Sequence, residues 1–157
     1  MAAPPARKDS GRLATNRKAL RDYFVLERIE AGLELTGPEV KSVRAGGANL
    51  TGGYARIDEG DATLLDVHIA PYAWGNRFNP DPARPRRLLL HAKEISRLEG
   101  HLAQKGLTLV PLSVYLHKRW IKVELGLCRG RQDPDKREHL RQKTAEQEAR
   151  RAIARQR

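Results

Sequence analysis

Five histidines, a single cysteine and several carboxylate pairs are the residues of this chain that could carry catalysis. The histidines are His68, His91, His101, His117 and His139. No two stand four apart on a helical pattern and no Cys-x-x-Cys occurs, so neither common zinc-gripping spacing is present. Gly46-Gly47 and Gly52-Gly53 lack the lysine of a phosphate-cradling loop and read as a helix end and a bend. Ser10, Ser42, Ser96 and Ser113 have no nucleophile-elbow context. Cys128, beside Leu127 in a strand-like segment, reads as a buried, inert thiol. As the only cysteine it excludes an internal disulfide and suits a reducing, cytoplasmic compartment. The pairs Asp58/Glu59 and Asp133/Asp135 fall where turns and helix caps use carboxylates. No catalytic constellation, metal or cofactor is expected, and the protein is not expected to be an enzyme.

Binding chemistry is the alternative. Lysine and arginine neutralise phosphates, and planar rings stack on unpaired bases. The segment Pro71–Arg87 interleaves both kinds, with Tyr72, Trp74 and Phe78 among four arginines. Two readings stand: a functional loop, or a connection whose aromatics pack on the body. Glu30 also has two readings. A carboxylate near RNA can accept from base amino groups or orient an arginine; the simpler reading is a surface charge before Gly32.

The formal net charge of +11 on 157 residues is concentrated at the ends. Residues 1–22 carry a net +4, residues 131–157 again +4, and the whole of 23–130 only +3. Basic ends flanking a nearly balanced body suit a nucleic-acid partner. No apolar run approaches the ~20 residues that span a bilayer. The opening Met1-Ala-Ala-Pro-Pro-Ala-Arg-Lys has no hydrophobic stretch, so a secretory signal is not expected.

The elements that must position these residues follow from pattern. Residues 1–15 read as a mobile arm, and Asn16–Asp22 as a short basic turn. Tyr23–Glu30 reads as a strand that Gly32 breaks, continued by Leu33 and Leu35. Thr36-Gly37-Pro38-Glu39 resembles a capping box, opening a helix that Gly46-Gly47 ends. Tyr54–Ile57 and Ala62–Ile69 read as strands joined at Glu59-Gly60-Asp61, with Leu65, Val67 and Ile69 on one face. A helix is expected over about Ala92–Lys105, with Ile95, Leu98 and Leu102 on one side. Strands Leu107–Leu116 and Trp120–Leu127 follow, turning at His117-Lys118-Arg119. Short strands without βαβ alternation imply a mainly β fold, a small antiparallel sheet or barrel with helices at its rim. The body is expected over residues 16–130.

Residues 131–157 cannot build a core, yet they are rich in helix formers. Asp133 suits an N-cap and Pro134 a first turn. Glu146/Arg150 and Glu148/Arg151 have helix-supporting spacing. A lone helix of this length is marginal in water, so the tail is expected to be disordered, or helical on a polyanionic partner.

The residues also carry a resemblance. Asn16-Arg17-Lys18-Ala19, Asp22-Tyr23-Phe24, Glu30-Ala31-Gly32, Gly37 with Glu39-Val40-Lys41-Ser42, and Ala48-Asn49-Leu50 resemble the SsrA-binding protein family of bacterial trans-translation. So do Gly75-Asn76-Arg77-Phe78-Asn79, Leu88-Leu89-Leu90-His91, Lys105 through Leu112, Val123 through Leu127, and Asp135-Lys136-Arg137. The likeness runs in order from Asn16 to Arg137. It implies an oligonucleotide-binding-like (OB-like) antiparallel β-barrel that binds the tRNA-like domain of transfer-messenger RNA. With elongation factor Tu and GTP, members deliver this RNA to stalled ribosomes. The basic tail acts in the decoding centre and the empty message channel. A generic ribosome-associated RNA-binding protein is the alternative.

Carried over by position, the implied RNA-binding residues are Glu30, Leu89, His91 and Lys122. By pattern alone Leu89 would be core and Lys122 a solvated charge. Arg21 joins them where many members carry histidine; arginine can stack and contact phosphate but lacks imidazole's neutral donor–acceptor role. The tail residues implied to act on the ribosome are Arg129, Gly130, Arg131, Asp135, Lys136 and Arg137. Pro134 replaces a frequent histidine, and Ile153 is the main apolar candidate for a contact in the distal tail.

Overall fold

A computed structural model describes residues 11–75, 78–104, 106–130 and 133–155. Side chains are described within these spans except those of residues 133–140 and 154–155. Nine strands and four helices follow one another along them. β1 (Arg12–Thr15) leads into α1 (Arg17–Asp22) and the long β2 (Tyr23–Leu33), then α2 (Gly37–Arg44). Five short strands come next: β3 (Ala48–Asn49), β4 (Tyr54–Asp58), β5 (Asp61–Leu65), β6 (His68–Ile69) and β7 (Arg86–Leu89). α3 (Ala92–Leu102), β8 (Leu107–His117), β9 (Trp120–Gly130) and α4 (Asp133–Arg155) complete the chain.

Six strands close on themselves in the order β8–β4–β5–β7–β2–β9 and back to β8, every pairing antiparallel. β1 adds to β8, and β3 pairs with β6 as a separate ribbon. This closed antiparallel ring, with helices around it, is the mainly β architecture expected from the short-strand pattern. Alternation puts Ile29, Ala31, Leu64, Leu88, Leu109, Val123 and Leu125 inside. Val43 of α2 and Leu98 of α3 are fully buried against the same core. A smaller apolar cluster forms where Ala19 of α1 meets Val110, Leu112 and Cys128 of β8 and β9.

Local chemistry explains most turns. Glu59 and Gly60, at φ 49° and 81°, form the two-residue β4–β5 loop, and two positive φ values match the strand twist of a tight hairpin. At α2, Thr36 accepts from the Glu39 N–H, and the Glu39 carboxylate accepts from the Thr36 N–H at 3.0 Å. That is the capping box the sequence predicts. Pro111 sits at a bulge in β8, where its missing N–H breaks no ladder.

Four expectations need correction. Arg12–Thr15, read as part of a mobile arm, is a strand paired to β8; residues 1–10 lie outside the described residues. Asn16–Asp22 is a capped helix rather than a turn. Asn16 Oδ1 accepts from the Ala19 N–H, while its Nδ2 donates to the carbonyls of Pro111 and Leu50. Gly32 does not break β2, which runs unbroken to Leu33. The inward face after the hairpin is Ala62 and Leu64, then Val67 and Ile69, because Asp66 at φ 57° resets the alternation. Leu65, expected inside with Val67 and Ile69, is only half-buried.

Candidate nucleic-acid interface

β2 hydrogen-bonds to β9 along one edge and, at its end, to β7 on the other. Gly32 is the residue that does both, opposite Leu89 of β7 and Lys122 of β9. Alternation then turns Leu89, Gly32 and Lys122 to one side, outward from the core, while Leu88, Ala31, Leu33 and Val123 point in. Glycine in the middle leaves a hollow between the other two side chains. A Cβ there would stand 3.1 Å from the Leu89 Cβ.

That hollow is the floor of an open cleft of about 1030 Å³. Glu30, Leu89, His91 and Lys122 all line it, so the structure brings together four of the five body residues singled out above. Leu89 is 52% exposed, far more than a core leucine would be. His91 precedes α3 with its ring in solvent, and its N–H donates to Glu94 at 3.2 Å. Glu30 Oε1 lies 3.8 Å from the Lys122 ammonium. Behind them Arg28 donates to Glu124 at 2.6 Å, so alternating charges run along the outer face of β2 and β9. Leu89 offers an apolar edge, Lys122 a cation and Glu30 an acceptor within one concavity. Such a set suits a nucleotide, whose base, phosphate and amino groups need all three.

The lining residues to which the sequence assigns no role include Arg119 and Trp120, at the β8–β9 hairpin. Trp120 is an exposed large aromatic. The available signal is a tryptophan directly after the basic run His117-Lys118-Arg119, a pattern that by itself reads as the start of a strand.

The cleft is held from beneath by one carboxylate. Glu39 of α2 is buried and receives Arg84, and Arg86 Nε at 2.7 Å. Arg86 is only 1% exposed and also donates to the carbonyls of Val67, Arg84 and Pro82. Burial alone would push the Glu39 carboxyl up, but hydrogen bonds from Arg84, the Thr36 N–H and Arg86 outweigh it and hold it below its ordinary value. The hub ties α2, which gives Val40 to the cleft, to β7, which gives Leu88 and Leu89. The Pro71–Arg87 segment is therefore inverted relative to a simple binding loop. Two of its arginines turn inward as struts, while Trp74 and Phe78 stand outside.

Other candidates lie elsewhere. Arg21 is in the last turn of α1, beside Asp22 at 3.5 Å, and does not line the cleft. It sits near the far end of the β2–β9 ladder, where Tyr23 pairs with Gly130. Arg129 places its guanidinium 5.8 Å from the Phe24 ring at the same end. Arg131 lies outside the described residues. Asp135, Lys136 and Arg137 fall in the first turns of α4, and Ile153 is exposed near its end. Every residue from 141 to 153 is exposed, so this stretch of α4 packs no face. Cys128 is buried, and burial pushes its thiol up to about 11, too high for a ready thiolate. Among the described residues no group of His, Cys, Asp or Glu could hold a metal, and no helix is long and apolar enough to cross a membrane.

The family model described as SmpB protein matches residues 13–155. An SsrA-binding protein of Roseiflexus sp. (strain RS-1) is 54% identical over 142 residues, 90% of either chain. One from Caldicellulosiruptor saccharolyticus is 52% identical over 141 residues, 90% of this chain and 89% of its own. Among solved structures, one described as "tmRNA-SmpB: a journey to the center of the bacterial ribosome" is similar at a TM-score of 0.66. It shares 50% identity, over 76% of this chain and 85% of the other.

Proposed function

Because this chain belongs to the SmpB protein family, we infer that it binds transfer-messenger RNA and acts with it in rescuing stalled ribosomes. The tRNA-like domain is the part of that RNA assigned to the cleft. The observation that carries this is the convergence of Glu30, Leu89, His91 and Lys122 in one concavity of the ring. The protein works as a cytoplasmic, non-catalytic adaptor, and elongation factor Tu joins through the shared RNA. Residues 131–157 are the ribosome-facing part: Asp135, Lys136 and Arg137 enter the decoding centre and the basic distal helix follows the empty message channel. Arg21, Arg129, Gly130 and Arg131 mark the joint between the two parts.

Competition separates specific from generic binding. Affinity for the tRNA-like domain should survive excess elongator tRNA, whereas phosphate contacts alone would not discriminate. Lys122→Ala and Leu89→Ala should each weaken binding by about 1–3 kcal/mol. Truncation before Asp133 should leave RNA affinity nearly intact and abolish tagging of stalled chains. Equal affinity for elongator tRNA, or loss of RNA binding on truncation, would overturn the assignment.

A further inference from the structure

The connection between β6 and β7 presents two large rings to solvent on a braced frame. Trp74 is 83% and Phe78 69% exposed. The Asn79 side chain accepts from the Tyr72 N–H and donates to the Tyr72 carbonyl, both at 2.9 Å, pinning the two ends of this turn. Inside it, the Gly75 N–H donates to the Tyr72 carbonyl and the Phe78 N–H to the Gly75 carbonyl. A Cβ on Gly75 would stand 2.6 Å from Asn79 Oδ1, so the turn closes only around glycine. These residues face Pro38 and Lys41 of α2 across a pocket of about 370 Å³. The Lys41 ammonium lies 5.5 Å from the centre of the Tyr72 ring.

α2 is the wall between this pocket and the cleft: Val40 lines the cleft and Lys41 the pocket. Glu39, the only carboxylate of α2, is turned inward onto Arg84 and Arg86, leaving Lys41 and Arg44 as the exposed charges of that helix. Among the described residues no carboxylate lines the pocket. Rings plus a cation, without an acid, match the stacked base and phosphate of single-stranded nucleic acid.

We propose that Trp74, Phe78 and Lys41 form a second stacking site, which takes one unpaired base of the RNA strand that occupies the cleft. The proposal rests on the RNA-binding reading of the cleft, and its test keeps the two apart. The chain has two tryptophans, Trp74 and Trp120. Full-length Trp120→Phe leaves Trp74 as the reporter of the pocket, and Trp74→Phe leaves Trp120 as the reporter of the cleft. Each is titrated with the isolated tRNA-like RNA domain. Both tryptophans should be quenched over the same RNA concentrations. The double variant Trp74→Ala/Phe78→Ala should raise the dissociation constant roughly tenfold, while Trp74→Phe, which keeps a ring, stays within about twofold. A responding Trp120 with a silent Trp74 overturns the second site and leaves the cleft standing. Silence of both overturns both. A Trp74 that responds only to ribosomal RNA, or only to a protein partner, overturns the same-strand assignment.

Discussion

The cleft and the C-terminal helix are both proposed to meet RNA, yet they are held by opposite kinds of interaction, and the cleft mixes carboxylates with cations. The cleft residues come from β2, β7 and β9, and their spacing is set by a ladder that closes on itself. Behind them a buried carboxylate clamps α2 to β7. Residues 141–153 of α4 have no such support, because each of them is exposed and only local terms favour the helix there. On the proposed function, a site that discriminates one RNA must be preorganised, which suits the ring. On the same proposal, a segment that follows a channel lined by phosphate needs only charge and length, which suits a helix without a packed face.

Three substitutions probe that contrast, the most damaging first. Glu39→Ala leaves Arg86 buried without its counter-ion, which should cost about 3–5 kcal/mol. Urea unfolding followed through the core would show it, with the helical signal of the tail unaffected by the same change. The pH dependence has a definite sign. The Glu39 carboxyl sits below its ordinary value of 4.5 in the folded protein. Its contribution is therefore complete above pH 4.5 and fades as pH falls below that value. The gap in stability between wild type and Glu39→Ala should narrow over the same acid range.

Ala145→Pro acts on the other region. Proline inside a helix costs about 3 kcal/mol relative to alanine, and nothing packed against residues 141–153 resists the loss. Circular dichroism should lose helical signal while the urea midpoint of the ring stays put. A shifted midpoint would mean that the two regions are coupled after all.

Gly32→Ala is the mildest. The new methyl would meet the Leu89 Cβ at 3.1 Å, and Leu89 is exposed enough to yield. Stability should fall by no more than about 1 kcal/mol. RNA affinity should fall several-fold in a binding titration, because the hollow between Leu89 and Lys122 is filled. An unchanged affinity would show that the RNA does not enter that hollow.

Legibility followed the range of the interactions. The Thr36–Glu39 cap, the Glu59-Gly60 hairpin and the Leu98 face of α3 were all readable, since each rests on residues a few positions apart. Leu89 and Lys122 are legible through family likeness rather than through chemistry, because they look like core and surface until the strands are paired. Gly32 misled for the same reason: within one strand it reads as a break, and only between two partners does it become the floor of a cleft. The arginines of the Pro71–Arg87 segment read as phosphate ligands because their acid, Glu39, lies far back in the chain.

The amino-acid order by itself determined the family, the uneven charge, the local caps and turns, and a tail unable to form a core. All of these follow from composition or from residues that are neighbours along the chain. Only the closed ring decided which side chains meet: Leu89, Gly32 and Lys122 across three strands, Arg84 and Arg86 turned in to Glu39, and Trp74 and Phe78 left outside. For Leu89, Gly32, Lys122 and Arg86 the outcome depends on strand register between distant segments, and a shift of one residue would have turned each of these side chains to the opposite face.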